Sequence, residues 1–339
     1  MARIGKVSMW KKMDIWKDKL KKCKWFSILN SYRIKYREKK KAVLYKKYHL
    51  KKIQNCGNKY STRIICLIHR ENEKTGLFSD MITFLGDIKA VVDNGWYPVI
   101  DMQNFSNMYL KKEQLGKENA WEFFFEQPTG ISVEESFGSQ QVIGVVAGKA
   151  PDYPFASVAF LQNEYGKLTM WRYYVKKYVR VKKDLQEKID EIYHGMVKEG
   201  DKVCGVLVRG SDYTTMKPQG HPIQPTIEQI IEKVTEVVAA KKCNKIYLST
   251  EEQKIVDKMK SVFGDTLMYV QKAYIDYQGG YLADVNVIDK RQNGIDYLTQ
   301  IAILAKCDCI VAGVCSGTVG AALLSEGFEY EYYWDLGYY

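Results

Sequence analysis

The chain has 339 residues, of which 46% are hydrophobic and 27% charged, the composition of folded globular domains rather than of disordered chains. Its net charge of +11 is concentrated in residues 1–60, which carry 20 Lys/Arg against 3 Asp/Glu; the remainder carries 31 basic against 37 acidic side chains. The body is therefore mildly acidic, which excludes a nucleic-acid binder that works through its whole surface.

Length allows two domains of ordinary size, each with its own core. No apolar run approaches the roughly 18 residues of a membrane span. The N-terminus shows no short apolar segment before a small-residue cleavage site, so a cytoplasmic setting is expected. Eight cysteines, at positions 23, 56, 66, 204, 243, 307, 309 and 315, are scattered through apolar runs and read as reduced, buried thiols. Cys307-Asp308-Cys309 lacks the second Cys/His pair that a zinc site needs, and no Asp-x-Asp motif is present, so no metal and no cofactor is expected.

Residues 1–60 read as a basic helical arm in which Trp10, Ile15, Trp16, Leu20, Trp25 and Phe26 alternate with lysines. That pattern suits an interfacial helix on an anionic membrane, a solvated extension, or an arm that packs on another subunit. The first folded domain, over residues 61–165, opens with an apolar strand at Arg63–Ile68. The turn Thr75–Asp80 then leads into a helix from Met81 to Asp93, and Trp96–Ile100 forms a second strand, a βαβ unit that predicts a parallel sheet. Residues 104–140 form a polar, aromatic-rich insertion with Trp121 and Phe123-Phe124-Phe125, read as core and loop packing or as acceptor-binding loops. Residues 166–199 turn helical and charged and read as a linker.

From residue 200 to 339 strands and helices alternate. Val203–Val208 is a buried strand, Pro225 opens a helix, Ile246–Thr250 is a strand and Glu251–Val262 a helix. Leu267–Val270, the helix Tyr297–Ala305, the strand Cys309–Val314 and the helix Thr318–Leu324 follow. The pattern predicts a doubly wound open sheet, whose ligands bind outside the carboxyl ends of the strands.

Three strand ends carry suitable residues. Arg209 leaves the first strand, in the run Val208-Arg209-Gly210-Ser211-Asp212-Tyr213, where a guanidinium fork could grip a diphosphate or form a rim salt bridge to Asp212. Thr250-Glu251-Glu252 ends the second; Thr250 can cap the next helix, and a carboxylate there could meet a purine or a ribose. Gly313–Gly320 is a small-residue turn at a helix start, with Ser316, Gly317 and Thr318 offering backbone N–H groups to an anion. It has neither the Gly-Lys-Ser/Thr of a phosphate loop nor the G-x-S-x-G of a hydrolase elbow.

These motifs resemble the donor-binding half of the GDP-fucose-dependent α1,6-fucosyltransferases and their bacterial nodulation-factor relatives. That family carries Arg-Arg-x-Asp after a strand and His-Pro-Ile nine residues past the Asp, as here from Asp212 to His221-Pro222-Ile223. Its Thr-Asp-Asp strand end is similar to Thr250-Glu251-Glu252, and its Ala-Asp…Ser-Ser segment to Cys307-Asp308 through Cys315-Ser316. The resemblance covers Val203 to Gly327, roughly 125 residues; the first half agrees only in its βαβ outline and in Gly76.

It implies a GT-B fold of two Rossmann-like domains and an inverting, metal-independent transfer of fucose or a related sugar from a GDP-sugar. The acceptor would be a glycan or lipid-linked glycan, for example in capsular polysaccharide synthesis, with the basic arm bringing a bacterial enzyme to the inner membrane face. By that resemblance Arg209 would hold the β-phosphate, Ser316 a phosphate oxygen and Glu251 part of the nucleoside. Gly210 stands where the family has its second arginine, Lys217 where it has an acidic candidate base, and Gln300 where it has an aspartate, with Asp296 one turn earlier. A protonated lysine cannot accept the acceptor's proton, so Asp212, His221 or a first-domain carboxylate would serve, or the chain binds a nucleotide-sugar without turning it over. An imidazole titrates closest to neutrality, although His221 equally suits packing of the turn before Pro222. A membrane or RNA interaction protein run by its arm is the remaining alternative.

Overall fold

In the computed structural model the described residues are 52–71, 73–272, 274 and 289–339, with Ser211 and Asp212 described in backbone only. The basic arm expected over residues 1–60 lies outside the described residues as far as Lys51. Two parallel sheets organise the rest. β1 (Lys59–His69) continues through a loop into α1 (Leu77–Asp93), and β2 (Tyr97–Ile100) follows. A short helix α2 (Val133–Ser136) precedes β3 (Ser139–Val146), and the three strands lie in the order β2-β1-β3, all parallel.

Three helices, α3 (Val158–Leu161), α4 (Lys167–Tyr178) and α5 (Lys183–Met196), lead to the second sheet. There β4 (Val203–Leu207), α6 (Ser211–Met216), α7 (Ile227–Lys241), β5 (Lys245–Ser249), α8 (Gln253–Phe263) and β6 (Leu267–Tyr269) follow in order. α9 (Lys290–Leu304), β7 (Cys309–Gly313), α10 (Ser316–Leu324) and β8 (Tyr330–Trp334) complete the chain. The strand order is β6-β5-β4-β7-β8, again parallel throughout. No helix among the described residues is long and apolar enough to cross a membrane.

The sheet order has a functional consequence. From β4 the chain winds outward through β5 and β6, then returns to the opposite side of β4 with β7. The crevice beyond the carboxyl ends of β4 and β7 is therefore a topological switch point, the place where open α/β sheets hold ligands. The small sheet repeats this device: β1 is central, β2 lies on one side and β3 on the other.

Each strand of the larger sheet is apolar because both its faces are covered; all five residues of β4 and of β7 are buried. Cys204, Val206 and Val208 face Ile230, Val234 and Val237 of α7 and Val256 and Met259 of α8. The other face joins a core that runs through both sheets, from Cys66 and Ile68 of β1 to Val203, Tyr247 and Ile310. Trp121, Phe124 and Phe125 of the aromatic insertion belong to this core and are fully buried. Between the sheets pack α1, α4, α9 and α10, and Leu50–Tyr339 forms one compact unit.

Several boundaries differ from the sequence expectation. α1 begins at Leu77 rather than Met81, and α10 at Ser316 rather than Thr318. α9 begins at Lys290, seven residues before Tyr297, capped by Asp289, whose Oδ1 accepts from the Gln292 amide at 3.0 Å. α7 starts after Thr226, which forms a reciprocal capping box with Gln229. α8 starts at Gln253 with Glu252 as its N-cap, so Thr250 does not cap it; Thr250 Oγ1 instead accepts from the Glu252 amide at 3.4 Å.

The closest helix contact joins the two sheets' helices. A Cβ at Gly320 of α10 would collide with the buried ring of Phe78 on α1. Replacing Gly320 by Val should therefore cost about 1–3 kcal/mol of stability through overpacking. In a denaturant-melt double-mutant cycle with Phe78→Ala, the combined loss should fall clearly short of the sum of the single losses; full additivity would show that the two residues do not meet.

Candidate active site

Beyond the strand ends lies a cavity of about 590 Å³ whose walls come from both sheets. Arg209, two residues past β4, lines it. Its Nη1 donates to Glu251 Oε1 at 2.7 Å, and its guanidinium lies over the Tyr213 ring at 4.9 Å. Both partners of the ion pair are only 15–18% exposed. A carboxylate on one side and a ring on the other fix the planar fork, leaving little rotamer entropy to lose when an anion binds.

Across from Arg209 stands the start of α10. Cys315 is its extended N-cap and makes no side-chain cap hydrogen bond. Cys315, Ser316 and Gly317 line the cavity. The first amides of a helix have no partner within the helix, and the dipole adds partial positive charge there. Tyr297 explains the glycine: a Cβ at Gly317 would collide with the Tyr297 hydroxyl, which also lines the cavity. Burial pushes that phenol well above its ordinary range, so it remains neutral and able to donate a hydrogen bond.

The small sheet supplies a second helix start of the same kind. Gly76, the N-cap of α1, likewise makes no side-chain cap hydrogen bond, and no atom would lie within 4 Å of a Cβ placed there. Thr75, Gly76, Phe78 and Ser79 line the cavity with Arg70 and Lys74. Arg70 Nη1 donates to Asp80 Oδ1 at 2.7 Å and to the Ser79 carbonyl at 3.0 Å. Asp80 is 3% exposed. Burial outweighs the neighbouring guanidinium and pushes its carboxyl up to about 7.

The remaining wall is the segment around His221. His221 Nδ1 lies 3.2 Å from the Tyr213 hydroxyl, with the two rings edge to face at 5.3 Å. The segment is pinned by the C-terminal residues: the Tyr339 amide donates to the His221 carbonyl at 3.1 Å and the Ile223 amide to the Gly337 carbonyl at 2.9 Å. Gln224 Nε2 donates to the Val314 carbonyl at 2.8 Å, which ties the segment to the end of β7.

Of the residues singled out in the sequence, Arg209, His221, Ser316, Gly317 and Gly76 meet at this cavity. The others lie behind it or outside it. Glu251 pairs with Arg209 and does not line the cavity. A Cβ at Gly210 would strike the Glu252 carboxylate, so a side chain here would have to displace it. Thr250 is 3% exposed, and Thr318, fully buried, donates its hydroxyl to the Gly313 carbonyl, locking the helix start to β7. Gln300 is also buried; in the amide orientation that satisfies both its atoms it donates to the Thr250 carbonyl and accepts from Lys272 Nζ, each at 3.1 Å. Asp296 accepts from Gln292 Nε2 at 2.7 Å on the α9 surface. Lys217 ends α6 in a left-handed conformation, exposed and away from the lining. The Asp212 side chain lies outside the described residues.

Arg70, Lys74, Tyr213 and Tyr297 are among the lining residues that went unassigned in the sequence. Arg70 carried the same signal as Arg209, an arginine directly past a buried strand. The other three are brought in by tertiary packing. Among the described residues lining the cavity, three are Arg or Lys and none is Asp or Glu. Three cations and two helix starts whose N-cap residues give no side-chain cap lend the cavity a positive character that suits a multiply charged anion such as a phosphate.

No family model and no curated protein matches the chain. Among solved structures it is similar to NodZ alpha-1,6-fucosyltransferase co-crystallized with GDP, with a TM-score of 0.47 and 16% identity over 78% of this chain and 93% of that one. It is similar to fucosyltransferase NodZ from Bradyrhizobium, with a TM-score of 0.45 and 18% identity over 78% and 94% of the two chains. It is also similar to POFUT1 in complex with GDP, with a TM-score of 0.48 and 12% identity over 80% and 99%.

The buried Asp80 gives a pH test. In the unfolded chain it titrates near 3.8, in the folded chain near about 7. Between these values the native state holds a proton that the unfolded state has released, so this group's stabilisation is complete below 3.8 and is lost as pH rises toward 7. The stability of the wild type relative to Asp80→Asn should fall across that window in urea denaturation. A difference that stays flat with pH would contradict the burial of a protonated carboxyl behind Arg70.

Proposed function

We propose that the chain is a GT-B glycosyltransferase that moves fucose, or a related sugar, from a GDP-sugar to a glycan or glycolipid acceptor. The observation that carries this reading is the meeting of Arg209, Arg70 and the starts of α1 and α10 at one cavity beyond the switch points of both sheets. A nucleoside diphosphate-sugar carries its charge on its diphosphate, and Arg70, Lys74 and Arg209 all line this cavity. The choice of guanine and fucose rests on the sequence resemblance, above all on the interval from Asp212 to His221-Pro222-Ile223.

The chemistry then divides among this chain's own groups. As the bond from the anomeric carbon to the diphosphate oxygen breaks, negative charge grows on the leaving group. Arg209, Arg70, Lys74 and the helix amides stabilise that charge where a metal-dependent transferase would use its cation, so transfer is metal-independent in this reading. Inversion follows if the acceptor oxygen attacks the face opposite the diphosphate. Its proton needs a base, and His221 is the one imidazole among the described lining residues. The role requires the tautomer in which Nδ1–H donates to the Tyr213 hydroxyl, 3.2 Å away, so that the Nε2 lone pair accepts the proton. Tyr213, touching both Arg209 and His221, couples the position of the base to that of the phosphate clamp.

The absence of a carboxylate from the described lining residues favours a second reading, a nucleotide-sugar binder without turnover. Calorimetry and product analysis separate the two. GDP should bind more tightly than UDP or CDP, and Arg209→Ala should weaken it by about 10- to 100-fold, as expected on loss of a charged hydrogen bond. Equal affinities, or none, would end the donor assignment. His221→Asn should lower kcat by about 10²- to 10⁴-fold while GDP affinity stays within about twofold; unchanged transfer would remove His221 from the mechanism.

A further inference from the structure

A second cavity, of about 270 Å³, adjoins the first, and Lys74 lines both. Besides Lys74 its walls carry Lys111, Lys112 and Lys290 against a single carboxylate, Glu73. This positive charge is local, because the chain beyond residue 60 carries more acidic than basic side chains. The groove is also built. Asn107 holds the loop that bears two of the lysines: its Nδ2 donates to the Met102 carbonyl at 2.8 Å, and its Oδ1 accepts from the Tyr109 and Leu110 amides at 3.0 and 3.2 Å. Gln114 Oε1 accepts from the Lys111 amide at 2.9 Å, and the Gly116 amide donates to the Gln103 carbonyl at 2.8 Å. Asp289, next to Lys290 in sequence, is engaged as the cap of α9.

From this we infer that the groove is the acceptor subsite and that the acceptor is anionic, bearing a carboxylate or phosphate beside the hydroxyl that is glycosylated. The inference rests on the donor reading above and specifies the other substrate. Neutral saccharides are held chiefly by stacking on aromatic rings and by carboxylate and amide hydrogen bonds. No aromatic side chain is among the residues that line this groove, whereas four ammonium groups are. Lys74, at the junction, marks where the acceptor's reacting oxygen would pass from the groove into the donor cavity. There the oxygen forms its bond to the anomeric carbon, the hydroxyl proton passes to His221, and the diphosphate leaves with the electron pair of the broken bond.

The test uses the full chain, GDP-fucose and three versions of one oligosaccharide: neutral, ending in a uronic acid, and carrying a glycosyl phosphate. Transfer is read by mass spectrometry and binding by calorimetry. At least one anionic version should show a KM or Kd at least about tenfold below that of the neutral one, and that advantage should shrink as salt rises. Whichever anionic version wins identifies carboxylate or phosphate as the source of the charge. Lys111→Glu with Lys112→Glu should remove most of the advantage, Lys→Gln at both positions a smaller part, and GDP affinity should remain within about twofold in each variant. Equal use of the neutral oligosaccharide, or an anionic preference that survives charge reversal, would overturn the inference. Loss of GDP binding in the wild type itself would instead refute the donor reading, so the two failures are distinct.

Discussion

The crossing of α1 and α10, with the Phe78 ring set against Gly320, is the contact on which the site depends. It lets two helix axes approach closely where a side chain on α10 would hold them apart. α1 follows the central strand β1 of its sheet and α10 follows β7, the neighbour of the central β4, so close approach brings their first turns to one cavity. The anion-binding capacity of a single helix start is modest and screened in open solvent. Two such starts in a shared concavity act on the same ligand, and partial burial weakens the screening.

Charge is arranged in the same way in both halves. Each sheet has an arginine just past its central strand, and each arginine is backed by a carboxylate, Arg70 by Asp80 and Arg209 by Glu251. The acids sit behind the guanidinium groups rather than beside the ligand. They orient the forks without placing negative charge on the cavity wall. Asp80 is almost wholly buried and its carboxyl is pushed up to about 7, which leaves more of the positive charge of Arg70 uncompensated.

What was legible in the sequence follows physical rules. β4, β5, β7 and α7 announce themselves because strands covered on both faces are almost wholly apolar and α7 carries a clean helical stripe. β3 and β8 did not, since the half-buried edge strands Ser139–Val146 and Tyr330–Trp334 mix polar and aromatic residues. The polar, exposed first turns of α9 hid its start. The starts of α1 and α10 were misread for a more telling reason: Gly76 and Cys315 provide no side-chain cap, so the usual signal is missing. Without a capping side chain at either position, the local rule had nothing to read at these two starts. Arg209, His221 and Ser316 could be read from strand ends and spacing, whereas the roles of Tyr213 and Tyr297 exist only once the chain is folded.

The core that runs from Cys66 and Ile68 through Phe78 to Ile301, Ile310 and Val319 also bears on modularity. Proteins assembled from separable lobes can exchange one lobe by recombination and keep the other intact. Here the second half, cut away near residue 200, would expose the apolar flanks of α9 and α10 to water. Change in such a chain is absorbed more readily by the loops at residues 104–118 than by swapping an entire half.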